Sequence, residues 1–206
     1  MKMIVKYVSC VSRNMRDPRQ LLRPAVALVA ALSLVPPASA TVSAAFHAGQ
    51  ECAGPALAKF RPGGADFKVT LCMTTSEEAV CGHSIQLEAE SAANSGLFRV
   101  VAHKPGASFP DPTLEKISRP IAITFPPSTN DFGATRDNPA PAMVNQPLVT
   151  FTLRPSAKAK NTVYEIRLGK NSLVSVGKDG SCLQNFEVPL AAAIKLDASR
   201  KSTAKK

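Results

Sequence analysis

The chain has 206 residues, with 25 Lys and Arg against 15 Asp and Glu and a formal net charge of +10. The excess sits at the two ends: residues 41–206 carry 19 basic and 14 acidic side chains, residues 195–206 alone carry five and one, and the body, 41–194, is left at +1. A nucleic-acid binder needs a basic face on its folded domain, so this distribution argues against that class, while the length beyond residue 40 suits one domain with one core.

In chain order, the first predicted element is a targeting segment. Lys2, Lys6, Arg13, Arg16, Arg19 and Arg23, set against Asp17 alone, precede the apolar run Ala25–Val35, which Pro36-Pro37 break before Ala38-Ser39-Ala40. A basic start, a short apolar core and a small-x-small site make a secretory signal peptide. The run falls short of the about 20 apolar residues that span a bilayer. Cleavage after Ala40 is expected for 1–40, delivering a secreted or periplasmic product with no membrane span. Met15 offers an alternative start that shortens the basic region.

Residues 41–65 are Ala/Gly/Pro-rich with weak patterning, and a loose lead-in is expected there. From 66 onward, period-two alternation predicts strands. Phe67–Met73 is apolar at odd positions; Ile85, Leu87 and Ala89 alternate with Gln86 and Glu88; Leu97–Ala102 is apolar on both faces apart from Arg99. Ile121, Ile123 and Phe125, then Val149, Phe151 and Leu153, then Tyr164, Ile166 and Leu168 continue the series. Phe186, Val188, Leu190, Ala192, Ile194 and Leu196 form the longest alternation, and Pro189 within it predicts a bend, because proline cannot donate to a ladder. Lys178-Asp179-Gly180-Ser181 reads as a hairpin turn and Gly169–Ser172 as another. Two long connections stand out: 103–118, with one short helix expected at Pro112–Ile117, and 126–147, with five prolines and no period. The fold class is therefore all-β: a two-sheet β-sandwich of about eight or nine strands over 66–197, followed by a disordered basic tail, 198–206.

Of five cysteines, Cys10 lies in the segment to be removed, leaving Cys52, Cys72, Cys81 and Cys182. An even count in an exported chain reads as disulfides; zinc would want C-x₂₋₄-C spacings, which are absent. Cys72 and Cys81, eight residues apart at the ends of successive strands, are expected to pair if a bulge near Gly82 reconciles their parity. Cys52–Cys182 would then be the second bridge.

No catalytic residue is assigned. His47, His83 and His103 fit no metal or triad pattern, Glu88 and Glu90 share a strand face that solvent suits, and G-x-S-x-G, H-E-x-x-H and phosphate-binding glycine loops are absent. No cofactor is expected, although residues 128–138 concentrate oxygen-bearing side chains. Asn130, Asp131 and Asp137 are the candidate ligands there for calcium, which takes six to eight oxygens; Asp and Asn are also ordinary turn residues, and Arg136 stands among them. Sugar-binding sandwiches favour exposed Trp or Tyr. Trp is absent and Tyr164 shares parity with buried positions, so Phe109 and Phe132, on the long connections, are the candidate exposed binding aromatics.

Val80-Cys81-Gly82-His83-Ser84-Ile85-Gln86-Leu87 resembles the V-x-G-x-x-F-x-L strand of cohesin domains, and Gln146–Leu153 resembles their later L-A-x-L-x-F-x-V strand. Tyr164–Leu168 and Val188–Leu196 fall where such domains place their closing strands. The resemblance covers 66–197 and implies a nine-stranded jelly-roll, related in fold to some cellulose-binding modules, with a non-enzymatic binding role. Glu88-Ala89-Glu90-Ser91 stands where the family often has Asp-Pro, so the fold carries over and cellulosomal assembly does not. The expected function is an exported, non-catalytic domain that recognises a protein or cell-envelope partner through 103–118 and 126–147. The alternatives are a carbohydrate-binding module holding an envelope or extracellular polysaccharide, and a secreted enzyme or enzyme inhibitor.

Overall fold

A computed structural model of the chain describes residues 42–76, 79–109, 115–127, 131–178 and 181–198. The signal-peptide segment 1–40 and residues 199–206 of the basic tail lie outside the described residues. Thirteen strand segments are present among those described: β1 (Val42–Ala48), β2 (Leu57–Lys59), β3 (Phe67–Thr75), β4 (Ala79–Ile85), β5 (Leu87–Ala89), β6 (Phe98–Pro105), β7 (Glu115–Ala122), β8 (Phe132–Ala140), β9 (Gln146–Pro155), β10 (Val163–Leu168), β11 (Leu173–Lys178), β12 (Ser181–Pro189) and β13 (Ala193–Asp197). A single 3₁₀ turn, Ala92–Asn94, interrupts them.

They form a β-sandwich. One layer is a five-stranded sheet in the order β1-β3-β9-β6-β7. The other consists of two four-stranded sheets, β2-β13-β10-β5 and β12-β11-β4-β8. These two share three paths of chain, since β4 runs into β5, β10 into β11 and β12 into β13, each broken once. The breaks align at Gln86, at Gly169–Ser172 and at Leu190–Ala192. Buried Ser172 stitches them: its Oγ accepts from the Gln86 N–H (3.0 Å) and donates to the Gln86 carbonyl (3.1 Å), and its carbonyl accepts from the Leu190 N–H (2.9 Å). Counted as continuous paths, and setting aside short β2, the segments make nine strands, in agreement with the sequence expectation.

The alternating residues supply the core. Val69, Leu71 and Met73 of β3, Val100 of β6, Phe151 and Leu153 of β9, Ile166 of β10, and Ile194 and Leu196 of β13 are all buried. At one end, Phe60, Phe67, Phe98 and Tyr164 pack edge-to-face and stacked, with ring centroids 5.1–6.4 Å apart. Tyr164 is buried as its parity required, and its hydroxyl donates to the Lys160 carbonyl (3.1 Å).

Several expectations need correction. The segment 41–65 is no loose lead-in: β1 pairs along β3 from Val42↔Thr75 to Ala48↔Val69, and β2 pairs in parallel with β13. Its small alanines muted the alternation, although Phe46 is fully buried. The helix expected at Pro112–Ile117 is absent over Glu115–Ile117, which open β7, while Pro112–Leu114 lie outside the described residues. Within 126–147, β8 pairs with β4; it lies at a sheet edge, where a strand needs no alternating buried face. Gly169–Ser172 is not a hairpin, because β10 and β11 run in the same direction. Pro189 does end β12, as expected of a bend.

The cysteines pair Cys52–Cys72 and Cys81–Cys182, not Cys72–Cys81 and Cys52–Cys182. The reason is topological: β3 and β4, consecutive in sequence, belong to different layers, so Cys72 and Cys81 face different surroundings. Cys72 instead meets the turn after β1, its neighbour in the sheet. The anticipated bulge exists, at Cys81 itself, where the registers to β8 and to β11 both shift. Disulfides belong to oxidising compartments, and two of them are compatible with an exported chain.

Candidate functional site

Phe109 and Phe132 are not exposed binding aromatics; they are 2% and 4% exposed. Both point into a buried cluster with two histidines. The His83 ring on β4 meets Phe109 edge-on (centroids 4.9 Å apart), and the His103 ring on β6 meets Phe132 (5.3 Å), which in turn packs on Phe151 (5.1 Å). Arg136 of β8 donates to the Ser108 carbonyl and fastens the turn that carries Phe109. The long connections therefore serve the core at this point. They carry polar surface residues whose aromatic anchors lie inward, which leaves no stacking platform at Phe109 or Phe132.

Burial pushes the His83 imidazole down from about 6.5 to about 4, with positive charge on His103 adding to the depression and the Phe132 backbone opposing it. His103 is also lowered, mainly by burial, although its Nε2 lies 2.8 Å from the Glu115 carboxylate, which pulls the other way. His83 is the more deeply enclosed of the two; the His103 ring is buried up to its Nε2, which reaches the exposed Glu115 carboxylate. His47 sits on the edge strand β1, three strands across the same sheet from His103, its Nδ1 2.6 Å from the Gly54 carbonyl.

Of the three calcium candidates, Asp131 alone has a described side chain. Asp131 is exposed just before β8, Asp137 lies within that strand with its side chain outside the described atoms, and Asn130 lies outside the described residues. Among the described residues no three His, Cys, Asp or Glu side chains converge as metal ligands would.

What the fold does present is an edge. β12 closes the β12-β11-β4-β8 sheet, and Leu183 through Glu187 are exposed in succession. Leu183 is 96% exposed and Phe186 41%. The segment is held by an unusual device. Ser181 pairs with Lys178 and Asn185 with the adjacent Gly177, so residues 182–184 loop out of register. Cys182 in this excursion bonds to Cys81 on β4, two strands away, with Cα atoms 5.6 Å apart. Two strand spacings would be about 9.6 Å, so the excursion must fold over β11. Gly177 lies directly beneath: a Cβ there would fall 2.5 Å from the Ser181 carbonyl oxygen and 3.0 Å from the Cys81 sulfur. A residue with no side chain is what allows the bridge to cross.

Three of the other edges, β7, β8 and β1, are guarded. β7 exposes Lys116, Arg119 and Pro120, β8 contains Arg136, Asp137 and Pro139, and β1 lies against β2 and β13. Charge and proline at an edge discourage strand addition. β12 has only Glu187 and the terminal Pro189 to set against Leu183 and Phe186. Sequence reasoning missed this site because Phe186 has core parity; the ring is exposed because its strand is the last in the sheet. The one legible signal was Cys182-Leu183, a large apolar residue outside the alternation.

No protein-family model matches the chain. No curated protein matches it either. Solved structures do share its architecture. The third ScaC cohesin of Acetivibrio cellulolyticus, solved in complex with the ScaB dockerin, matches 78% of this chain and 100% of its own length, with a TM-score of 0.50 at 11% identity. The seventh ScaB type I cohesin from Pseudobacteroides cellulosolvens matches 80% and 97%, with a TM-score of 0.49 at 11% identity. The non-cellulosomal cohesin of the hyperthermophilic archaeon Archaeoglobus fulgidus matches 75% and 91%, with a TM-score of 0.43 at 12% identity. On the likeness to the Acetivibrio cellulolyticus cohesin the chain is a β-sandwich of cohesin-like fold, and at 11% identity that likeness concerns fold alone.

Proposed function

We propose that the chain is an exported, non-catalytic domain that binds a partner protein by accepting an extended strand of that partner along β12. The observation that carries this reading is the edge of β12, where Phe186 is exposed and the disulfide-pinned excursion, folded over β11, holds Leu183 almost wholly in solvent. Main-chain groups of an edge strand supply affinity to an incoming strand, and side chains on alternate positions supply specificity. The excursion confines pairing to the regular stretch 185–189, where Phe186 is the exposed apolar side chain, and Leu183, folded back over β11, adds exposed apolar surface on the adjoining sheet face. The basic-apolar-small N-terminus and the two disulfides support export. The burial of the shifted histidines supports binding over catalysis. That a solved domain of similar fold was crystallised with a protein partner, a dockerin, is consistent with a protein ligand.

The test is selection of linear peptides from a displayed library on the processed protein. Peptides with alternating β-branched or aromatic residues should be enriched, and Leu183→Asp or Phe186→Ser should lower their affinity about tenfold, the loss of one well-packed apolar anchor. Both positions are exposed, so the urea midpoint should stay within about 0.5 kcal/mol of the parent in stability. Selected peptides that bind these variants unchanged would remove β12 from consideration.

A further inference from the structure

The outer face of the five-stranded sheet is basic, and register fixes which side chains share it. Thr150, Thr152 and Arg154 of β9 alternate with buried Val149, Phe151 and Leu153, so they point outward. Thr152 has Lys68 of β3 on one side and Ala102 of β6 on the other, and Ala102 in turn lies opposite Lys116 of β7. Thr150 lies between Thr70 and Lys104, and Arg154 lies opposite Arg99. Arg99, Lys104, Lys116 and Arg154 are exposed and Lys68 is half-buried. Among the described residues the acid within this array is Asp66, which both Nε and Nη2 of Arg154 engage at 2.8 Å. Glu51 and Glu115 stand at its margins, in the turn after β1 and at the start of β7, where exposed Arg119 follows. The sheet β2-β13-β10-β5 in the other layer is arranged differently: Glu165 lies opposite Lys195 and Glu88 opposite Arg167, so charge there is matched pair by pair. The net +1 of the body conceals this segregation.

We propose that this basic face docks, independently of β12, on the surface of an anionic lipid bilayer. Charge complementarity is the first reason, and it rests on cations held by the strands of the sheet. Their arrangement is the second. Strands lie about 4.8 Å apart, so Lys68 and Lys116, three strands apart, are separated by about 14 Å across the sheet. Lys104 lies one row to one side of that line and Arg99 one row to the other. A polymer lying along one direction meets two or three of these cations at once, whereas a planar anionic surface meets all of them. Composition is the third reason. The centre of a protein–protein interface is enriched in aromatic residues and depleted of lysine, and this face is the reverse. Phe125, Val144, Val163, Leu183 and Phe186, the exposed large apolar side chains, all lie outside β1, β3, β6, β7 and β9. Phe46, Phe98 and Phe151 of those strands are buried, so the face lacks the phenyl platforms on which single-stranded nucleic acid would stack. Each Lys or Arg near an anionic leaflet strengthens attachment about fivefold, which gives five cations a reversible, salt-sensitive hold without insertion.

Co-sedimentation of the processed protein with vesicles of equal parts phosphatidylglycerol and phosphatidylcholine tests the proposal. Binding should occur and weaken as NaCl rises, as exposed charge requires, and vesicles of phosphatidylcholine alone should not bind. The triple variant Arg99→Gln, Lys104→Gln, Lys116→Gln should lose about tenfold or more. Lys160→Gln, Lys170→Gln, Lys195→Gln removes the same net charge away from this face and should lose less than about threefold. All six side chains are exposed, so the urea midpoints of both variants should match the parent. Leu183→Asp should leave vesicle binding intact, which separates this face from the β12 reading. Poly-L-glutamate and duplex DNA, supplied at the same concentration of charge, should bind about tenfold more weakly than the vesicles. Equal losses in the two triple variants, equal binding to either soluble polyanion, or complete loss on removing residues 199–206 would each overturn the proposal.

Discussion

Gly177 shows how one residue can be fixed by a covalent bond that it does not make. The Cys81–Cys182 bridge crosses β11 above it, and both the sulfur and the Ser181 carbonyl occupy the place where a methyl group would go. Gly177→Ala should therefore lower stability by about 1–3 kcal/mol, the ordinary range for overpacking, and urea unfolding would read it; an unchanged midpoint would mean the crossing is looser than described. His83 makes a different kind of prediction. Its folded-state value lies near 4 while an unfolded histidine titrates near 6.5, so the unfolded chain takes up the proton first as pH falls. Its contribution is complete above about pH 6.5 and declines by up to ~3 kcal/mol as pH approaches 4. Urea midpoints across that window should drop in the parent and drop less in His83→Leu. Equal slopes in the two proteins would show that the imidazole is better solvated than its burial indicates.

At the scale of elements, the two bridges do unequal work. Cys52–Cys72 closes 20 residues and fastens the turn after β1 to β3, whereas Cys81–Cys182 closes 101 and holds the last edge strand to the middle of its sheet. In the chain-entropy account the longer closure stabilises by about 4–5 kcal/mol and the shorter by about 3. Thermal melts should accordingly fall further for Cys81→Ala/Cys182→Ala than for Cys52→Ala/Cys72→Ala. The former pair should also weaken peptide capture at β12, because the excursion that presents Leu183 is no longer pinned. The reverse ranking of melting temperatures would count against this assignment of roles. Ser172 is the other joint: Ser172→Ala removes both of its Oγ bonds to Gln86 inside a closed core, and a loss of about 1–3 kcal/mol is expected in the same melts.

The whole molecule is a nine-path sandwich whose edge strand, β12, is proposed here to meet a partner. Non-reducing peptide mapping of the secreted product bears on the assembly as a whole. It should give an N-terminus at Thr41, a fragment linking Cys52 to Cys72 and another linking Cys81 to Cys182. Recovery of a Cys72–Cys81 peptide would contradict the placement of β3 and β4 in opposite layers.

Sequence by itself determined the class. Residues such as Tyr164-Ile166-Leu168 alternate because Glu165 and Arg167 between them face away from the core, and that period is local and readable, whereas in β3 Thr70 and Cys72 are buried along with Val69, Leu71 and Met73. It also located Tyr164 in the core and the bend at Pro189; a bulge does lie beside Gly82, but the Cys72–Cys81 bridge for which it was expected does not form. Partnership was decided only in three dimensions. Whether β4 pairs with β3 or crosses to the other layer, which sulfur meets which, and whether Phe109 and Phe132 point outward or in all depend on contacts between residues tens of positions apart, whose cost and gain no local pattern records. The same holds for β12: Phe186 carries a core residue's parity, and only its place as the last strand of a sheet puts it in solvent.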